Sequence, residues 1–324
     1  MSIYSRFMGE KGAADPRGEK LVANPEIKEP LSLQVLFPEN CPLDSGGLTK
    51  ALRSYHPSMS GGRCEIDPEL GSKGTVLGLV GWGKHVIRCV GFDLPMPADA
   101  VEACVAPSHY PQALKAQARA HKAHVILYYA GYEVLSFKQY TTLVATGGVS
   151  AAKVQRLHSL FEQYVALAAV AGVLGRLGAI VVLNESGRTS FPAEALSGLD
   201  SGDDVMELLR TLPLSILYCG FVKIEAPGVP GVWMRTYGAP LLALPDLAAQ
   251  AKGHEEGQRY FELFENVFAY LRETGALLSA GNTMEVGDDE FLRFRKPGAG
   301  EKFFSDEEDL LVVEIVGPGD MKRR

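Results

Sequence analysis

The sequence predicts an α+β protein built as two similar-sized lobes with antiparallel or mixed sheets. Three observations carry that expectation. A chain of 324 residues has room for roughly two domains at about 150 residues each. Its composition, 46% hydrophobic and 22% charged, suits a chain that buries a core and excludes collagen, coiled coil and wholesale disorder. Strand and helix patterns also succeed one another irregularly, without the regular alternation of a doubly wound parallel sheet.

Residues 1–30 are rich in Gly, Pro and charge and read as a flexible arm. Order is expected from Leu31, where Leu31, Leu33, Val35 and Phe37 alternate with other residues as in a strand. Asp44-Ser45 supplies N-cap chemistry for a helix from Gly46 to Tyr55, which Pro57 stops. Thr75–Val80 and His85–Phe92 read as strands joined by the turn Gly81-Trp82-Gly83. Pro95-Met96-Pro97 breaks the second of these and opens a helix over 98–105. A further helix begins at Pro111, and the β-branched and aromatic run Val125–Tyr129 is another strand. These elements form the first lobe, 31–145, and the polar, glycine-bearing stretch 141–150 marks its end.

The second lobe, 146–324, opens with a long helix over about 151–174. In it Leu157, Leu160, Phe161, Tyr164, Leu167, Ala168 and Ala171 recur at spacings of three and four, predicting one core-facing stripe. A buried strand at 179–183 follows, then a helix started by Pro192 and an acid-capped helix from Asp203 to Leu212. Ile216–Ile224 and Val232–Tyr237 read as strands separated by the turn Pro230-Gly231. A helix over Gln258–Arg272 places Tyr260, Phe261, Phe264, Val267, Phe268 and Leu271 on one stripe. Short strands near Thr283–Val286 and Leu310–Val316 close the chain. The predicted core comprises Leu33, Val35, Val90, Val125, Leu127, Leu160, Leu167, Val181, Phe261 and Phe264.

Location and partners are constrained by charge and cysteine usage. Thirty-two Lys and Arg against 39 Asp and Glu give a net charge of −7, which disfavours direct nucleic-acid binding and suits a basic partner. Five scattered cysteines without a C-x-x-C pair argue for reduced thiols in a cytoplasm, with Cys89 and Cys104 as small core residues. The opening residues lack the apolar run of a signal peptide, about 7 to 15 residues long. The most apolar stretch, Val165–Leu183, is divided by Gly172, Gly175 and Gly178 into a helix and a strand, so no membrane span is expected.

No complete catalytic motif emerges. Gly81-Trp82-Gly83-Lys84 lacks the third glycine and the Lys-Ser/Thr pair of a phosphate loop, and a strand follows it. Asn184-Glu185-Ser186-Gly187 has Asn where a nucleophile elbow needs Gly, and reads as turn chemistry. His109, His121 and His124 offer three imidazoles for a metal. His121-Lys122-Ala123-His124, however, lacks the Glu of a zinc-protease helix and falls at a helix-to-strand junction. The carboxylate clusters lack the spacing of a calcium loop. No catalytic residue, metal ligand or cofactor is therefore assigned.

Several short segments together resemble a bacterial family defined by a domain of unknown function. They are Val35-Leu36-Phe37-Pro38-Glu39 with Pro42-Leu43-Asp44, Gly91-Phe92-Asp93-Leu94-Pro95-Met96-Pro97, and His121-Lys122-Ala123-His124-Val125. In the second half they are Met234-Arg235-Thr236-Tyr237-Gly238, Leu244-Pro245-Asp246-Leu247 and Gly281-Asn282-Thr283. Where such members carry an acidic segment after Thr-Tyr-Gly, this chain has Ala243-Leu244-Pro245-Asp246. The resemblance implies an accessory protein encoded beside secreted toxins, in the form of an immunity protein cognate to a type VI secretion nuclease effector. It brings no catalytic residues with it.

The function expected on these grounds is a non-enzymatic cytoplasmic inhibitor that occludes a protein toxin with a basic surface. Its expected contact residues are Asp203, Asp204 and Glu207; Asp288, Asp289 and Glu290; and Asp306, Glu307, Glu308 and Asp309, with Trp233 and Tyr237 as aromatic anchors. The alternative is a metal-dependent or small-ligand enzyme using the region of His109, His121 and His124.

Overall fold

The computed structural model describes residues 31–41, 43–67, 75–130, 159–198, 204–226, 228–287, 290–301 and 310–319. The protein is α+β, with one antiparallel and one mixed sheet. It divides into two compact units at Cys219 and Gly220.

In the N-terminal unit the elements run β1 (Ser32–Phe37), α1 (Ser45–Tyr55), a 3₁₀ turn (Pro57–Met59), β2 (Arg63–Asp67), β3 (Thr75–Trp82) and β4 (His85–Phe92). They continue with α2 (Ala98–Val105), α3 (Gln112–Arg119), β5 (Ala123–Tyr129), α4 (Leu160–Gly175), β6 (Val181–Asn184) and β7 (Thr189–Pro192). Three short helices complete the unit: α5 (Ala193–Leu196), α6 (Val205–Thr211) and α7 (Leu214–Leu217). Its seven strands are ordered β2-β3-β4-β5-β1-β6-β7, with every neighbouring pair antiparallel.

The pairing of β1 overturns the expected boundary at 141–150. Val35 lies opposite Val125 of β5 on one side and Val182 of β6 on the other. Strands from both sides of residues 131–158 thus belong to one sheet, and the two units are unequal in size. The arm over 1–30 and the start of the long helix at 151–158 lie outside the described residues.

Both faces of β1 are covered. Leu36, with Val181 and Leu183, packs beneath α2 and α3 on Met96, Val101, Cys104, Val105 and Ala118. Leu33, Val35 and Phe37 point the other way and are equally buried. Helix α4 packs on β1, β4 and β5. It was expected to bury one stripe, yet every residue from Gln163 to Leu174 is buried, because α1, α5 and α6 cover the faces the sheet leaves. Each large aliphatic side chain buried there contributes about 1.5–3 kcal/mol. Among the described residues no helix is long and apolar enough to cross a membrane.

Asp44 caps α1 as its sequence predicts, accepting the N–H of Gly47 at 2.6 Å. The helix then covers the edge strand β2. Ser45 Oγ donates to the Cys64 carbonyl at 2.9 Å, Thr49 Oγ1 accepts the Cys64 N–H at 3.2 Å, and Arg53 Nε donates to the Gly62 carbonyl at 2.7 Å. At its other end, Tyr55 OH donates to the Leu196 carbonyl at 2.6 Å, and the Arg176 guanidinium lies over the Tyr55 ring at 4.8 Å.

The C-terminal unit contains β8 (Gly220–Ile224), β9 (Val232–Tyr237), a 3₁₀ turn (Ala239–Leu242), β10 (Asp246–Ala251), α8 (Gly257–Thr274), β11 (Thr283–Gly287), β12 (Glu290–Arg295) and β13 (Leu310–Val316). Its strands are ordered β11-β12-β13-β10-β9-β8, antiparallel except for the parallel pair β10–β13. The strand expected over Ile216–Ile224 is split, with Leu214–Leu217 helical behind Pro213 and pairing beginning only at Gly220. Strands β2, β7, β10 and β12 were not anticipated. Of the expected core, Val90 and Phe261 are half-buried and the other eight residues are buried.

Gly172 sets how closely α4 can be approached. A Cβ there would fall on the Leu196 carbonyl oxygen and lie 2.5 Å from Tyr55 OH. Gly172→Ala is therefore expected to cost about 1–3 kcal/mol of stability, seen as a lower thermal midpoint of the full chain. An unchanged midpoint would contradict this close packing.

Candidate functional site

The most unusual electrostatics of the C-terminal unit lie where β9 meets β10. Arg235 and Asp246 are both buried, at 2% and 7% exposure. The Arg235 guanidinium sits over the Tyr237 ring, 3.9 Å from its centroid. Asp246 Oδ1 accepts the Thr236 hydroxyl at 3.1 Å and the Ala239 N–H at 3.1 Å, while Thr236 Oγ1 accepts the Leu247 N–H at 2.8 Å. These bonds clasp the loop 238–245, which starts at Gly238 (φ 85°) and ends near Ala243 in the left-handed region (φ 60°).

Burial and charge oppose one another at Asp246. Desolvation favours the neutral acid, whereas the hydrogen bonds and the Arg235 charge favour the anion. Desolvation prevails, and the carboxyl is pushed up to about 7. Its chemical capacity is thus to exchange a proton near neutrality within the clasp.

Outside this interior, α8 presents two opposed stripes. Tyr260, Phe264, Val267, Phe268 and Leu271 are buried. Glu262 and Glu273 share the opposite, exposed side by the 3.6-residue period, with Arg259 close to it, and Glu255 is exposed in the 3₁₀ turn His254–Glu256 just before the helix. Glu285 and Glu290 are also exposed, and Glu290 receives Arg259 Nη2 at 3.3 Å.

The expected contact residues fare differently. Trp233 and Tyr237 are 2% and 8% exposed and cannot serve as surface anchors. They lie on an internal strand, and Trp233 packs on Ile224, Ala248, Leu310 and Val312. The sequence reading missed β10, and so did not place β9 between two neighbours. Asp204 is exposed but engaged as the N-cap of α6, accepting the N–H groups of Met206 and Glu207 and facing His56 Nε2 at 3.1 Å. Those bonds hold its carboxyl below the ordinary range. Glu207 is exposed on α6. Asp204 and Glu207 belong to the N-terminal unit and Glu290 to the C-terminal one. Asp203, Asp288, Asp289, Asp306, Glu307, Glu308 and Asp309 lie outside the described residues.

The histidines suggested for a metal do not form a ligand set. His121 is buried with both ring nitrogens in use: Nδ1–H donates to the Ala118 carbonyl at 2.7 Å, and Nε2 accepts the Met96 N–H at 2.8 Å. His124 donates from Nδ1 to the Leu94 carbonyl at 2.8 Å and stacks on Phe92 at 4.8 Å. Burial holds both below the usual histidine range. His109 is exposed between α2 and α3. Among the described residues no group of three or more His, Cys, Asp or Glu is placed to hold a metal ion. Asn184, read as turn chemistry, closes the β6–β7 hairpin by accepting the Gly187 N–H at 3.0 Å.

Residues 235–309 match the family model of a domain of unknown function, DUF4261. The match starts at Arg235 and takes in the Thr236–Asp246 clasp and α8. It supports the resemblance seen in the sequence for this segment, not for the quoted segments between Val35 and Val125. Comparison with curated proteins and with solved structures gave no match.

The raised acidity constant of Asp246 fixes the sign of its contribution to stability. The folded carboxyl binds its proton more tightly than the unfolded one, whose ordinary value is 3.8. The resulting stabilisation is complete below that value and is lost as pH rises through about 7. Asp246→Asn should remove the part of the stability slope that falls between about pH 4 and pH 7, measured by denaturant titration at several pH values. A slope identical to that of the parent chain would show that Asp246 does not titrate there.

Proposed function

We propose that the chain is a binding protein that neutralises a basic protein partner by occlusion, its acidic C-terminal unit making the first contact. The observation that carries this reading is the uneven placement of charge. Residues 220–324 hold 18 Asp and Glu against 12 Lys and Arg, whereas residues 1–219 hold 21 against 20. Six of the seven excess negative charges therefore fall in residues 220–324, the part of the chain that contains the family match. The exposed Glu255, Glu262 and Glu273 turn part of that charge toward solvent.

A partner that grips phosphates must carry clustered Lys and Arg, and an acidic surface competes for them directly. This chemistry supports the finer form of the proposal, a cytoplasmic immunity protein cognate to a secreted nuclease toxin, such as a type VI effector. Occupancy suffices for such a role, so no turnover is required. Exposed rim charges should govern encounter more than affinity, because solvent screens their pairwise energies.

The test is a search of the adjoining genes for a secreted nuclease toxin, then co-expression with its toxin domain and binding kinetics with the purified pair. Protection of the host and a stable complex are expected. Replacing Glu255, Glu262 and Glu273 together with Gln should slow association about tenfold at low salt and reduce its salt dependence, with dissociation little changed. Absence of protection and binding would overturn the toxin reading. On-rates and salt slopes equal to those of the parent would remove these three residues from the contact.

A further inference from the structure

We propose that Ser58 is an activated nucleophile, reactive toward small esters and other acylating or phosphonylating electrophiles, with His56 as its base and Asp204 as the positioning carboxylate. Ser58 Oγ lies 2.7 Å from His56 Nδ1, and the opposite ring nitrogen, Nε2, lies 3.1 Å from Asp204 Oδ1. The three side chains form one hydrogen-bonded relay in which Nδ1 accepts and Nε2–H donates to the carboxylate. Ser58 is exposed, whereas the His56 side chain retains only 18% exposure.

Two parts of the fold hold the relay. His56 is the extended residue that ends α1 and caps the 3₁₀ turn Pro57–Met59. Asp204 is fixed by the N–H groups of Met206 and Glu207 at 2.9 and 3.2 Å, which also keep it ionised. No sequence motif announces the set, because the carboxylate comes from a helix cap far along the chain.

The Ser58 N–H also donates to His56 Nδ1, at 3.2 Å. When Nδ1 takes the hydroxyl proton it can no longer accept this bond. The N–H must then turn away from the protonated ring, and in turning it becomes the donor available to the oxygen where negative charge develops. The neighbouring N–H groups of Met59 and Ser60 are already committed to the carbonyls of His56 and Pro57. One donor predicts acylation with slow turnover.

With an ester, Oγ forms a bond to the carbonyl carbon as its proton passes to Nδ1. Collapse then expels the alcohol oxygen, which takes that proton, leaving acyl-Ser58. Water reverses the sequence and releases the acid. With a fluorophosphonate, the Oγ–P bond forms as P–F breaks, and fluoride and the proton depart together.

The test is labelling of the folded full chain with a fluorophosphonate probe, peptide mapping, and a burst assay with p-nitrophenyl acetate. A single label on Ser58 is expected, lost in Ser58→Ala and retained in Ser60→Ala. His56→Gln should label at least about a hundredfold more slowly. Asp204→Asn keeps a good N-cap, so its thermal midpoint should hold while labelling slows; a merely structural role would leave the labelling rate unchanged. Absence of labelling in the folded parent chain, or equal labelling of Ser58→Ala, would overturn the proposal.

Discussion

Pairing of β1 along both of its edges is the constraint on which the N-terminal unit depends. An internal strand, fifth in the order of seven, must satisfy its backbone on two sides and bury its side chains on two faces. Leu33, Val35, Leu36 and Phe37 meet the second demand. The first requires β5, reached after three strands and three helices, and β6, which follows α4. The layers beneath α2 and α3 and around α4 exist because β1 brings these distant segments together. Gly172 and Gly175 then allow α5 and Tyr55 to close on α4, since a Cβ at Gly175 would lie 2.6 Å from the Ala193 carbonyl oxygen.

Most local elements were legible in the sequence because their signals are local. The cap at Asp44, the break at Pro95-Met96-Pro97 and the alternating run from Leu31 each act within a few residues. The lobe boundary was not legible, since strand partnership across 131–158 leaves no mark in periodicity or composition. Strand β10 was missed for a related reason. Asp246-Leu247-Ala248-Ala249-Gln250-Ala251 is alanine-rich, with little intrinsic strand preference, and is held by neighbours on both sides. Missing it made Trp233 and Tyr237 look available when they are interior.

Helix α4 shows how position overrides pattern. Its spacing defines one stripe that includes Ala168 and Ala171, but the small residues off that stripe, Ala166 and Ala169, are buried as well. Small side chains carry almost no directional signal, so they fit a solvent face or a close helix contact equally well. Charged sites divide similarly. The exposed stripe of α8 follows from periodicity, whereas the ionisation of Asp246 depends on competition among desolvation, Arg235 and three-dimensional hydrogen bonding that no spacing encodes.

The contacts of α1 with β2 have a further consequence for the chain in concentrated solution. An outer strand normally offers its spare N–H and C=O groups as a template for another strand. At Cys64 both groups are already taken, by Thr49 and Ser45, and the Gly62 carbonyl is held by Arg53. A foreign strand arriving there would have to displace three side-chain bonds and lift a helix before gaining its first backbone pair. From Gly62 to Cys64 the margin of the sheet is therefore closed to recruitment, and growth by an added strand is opposed along that stretch.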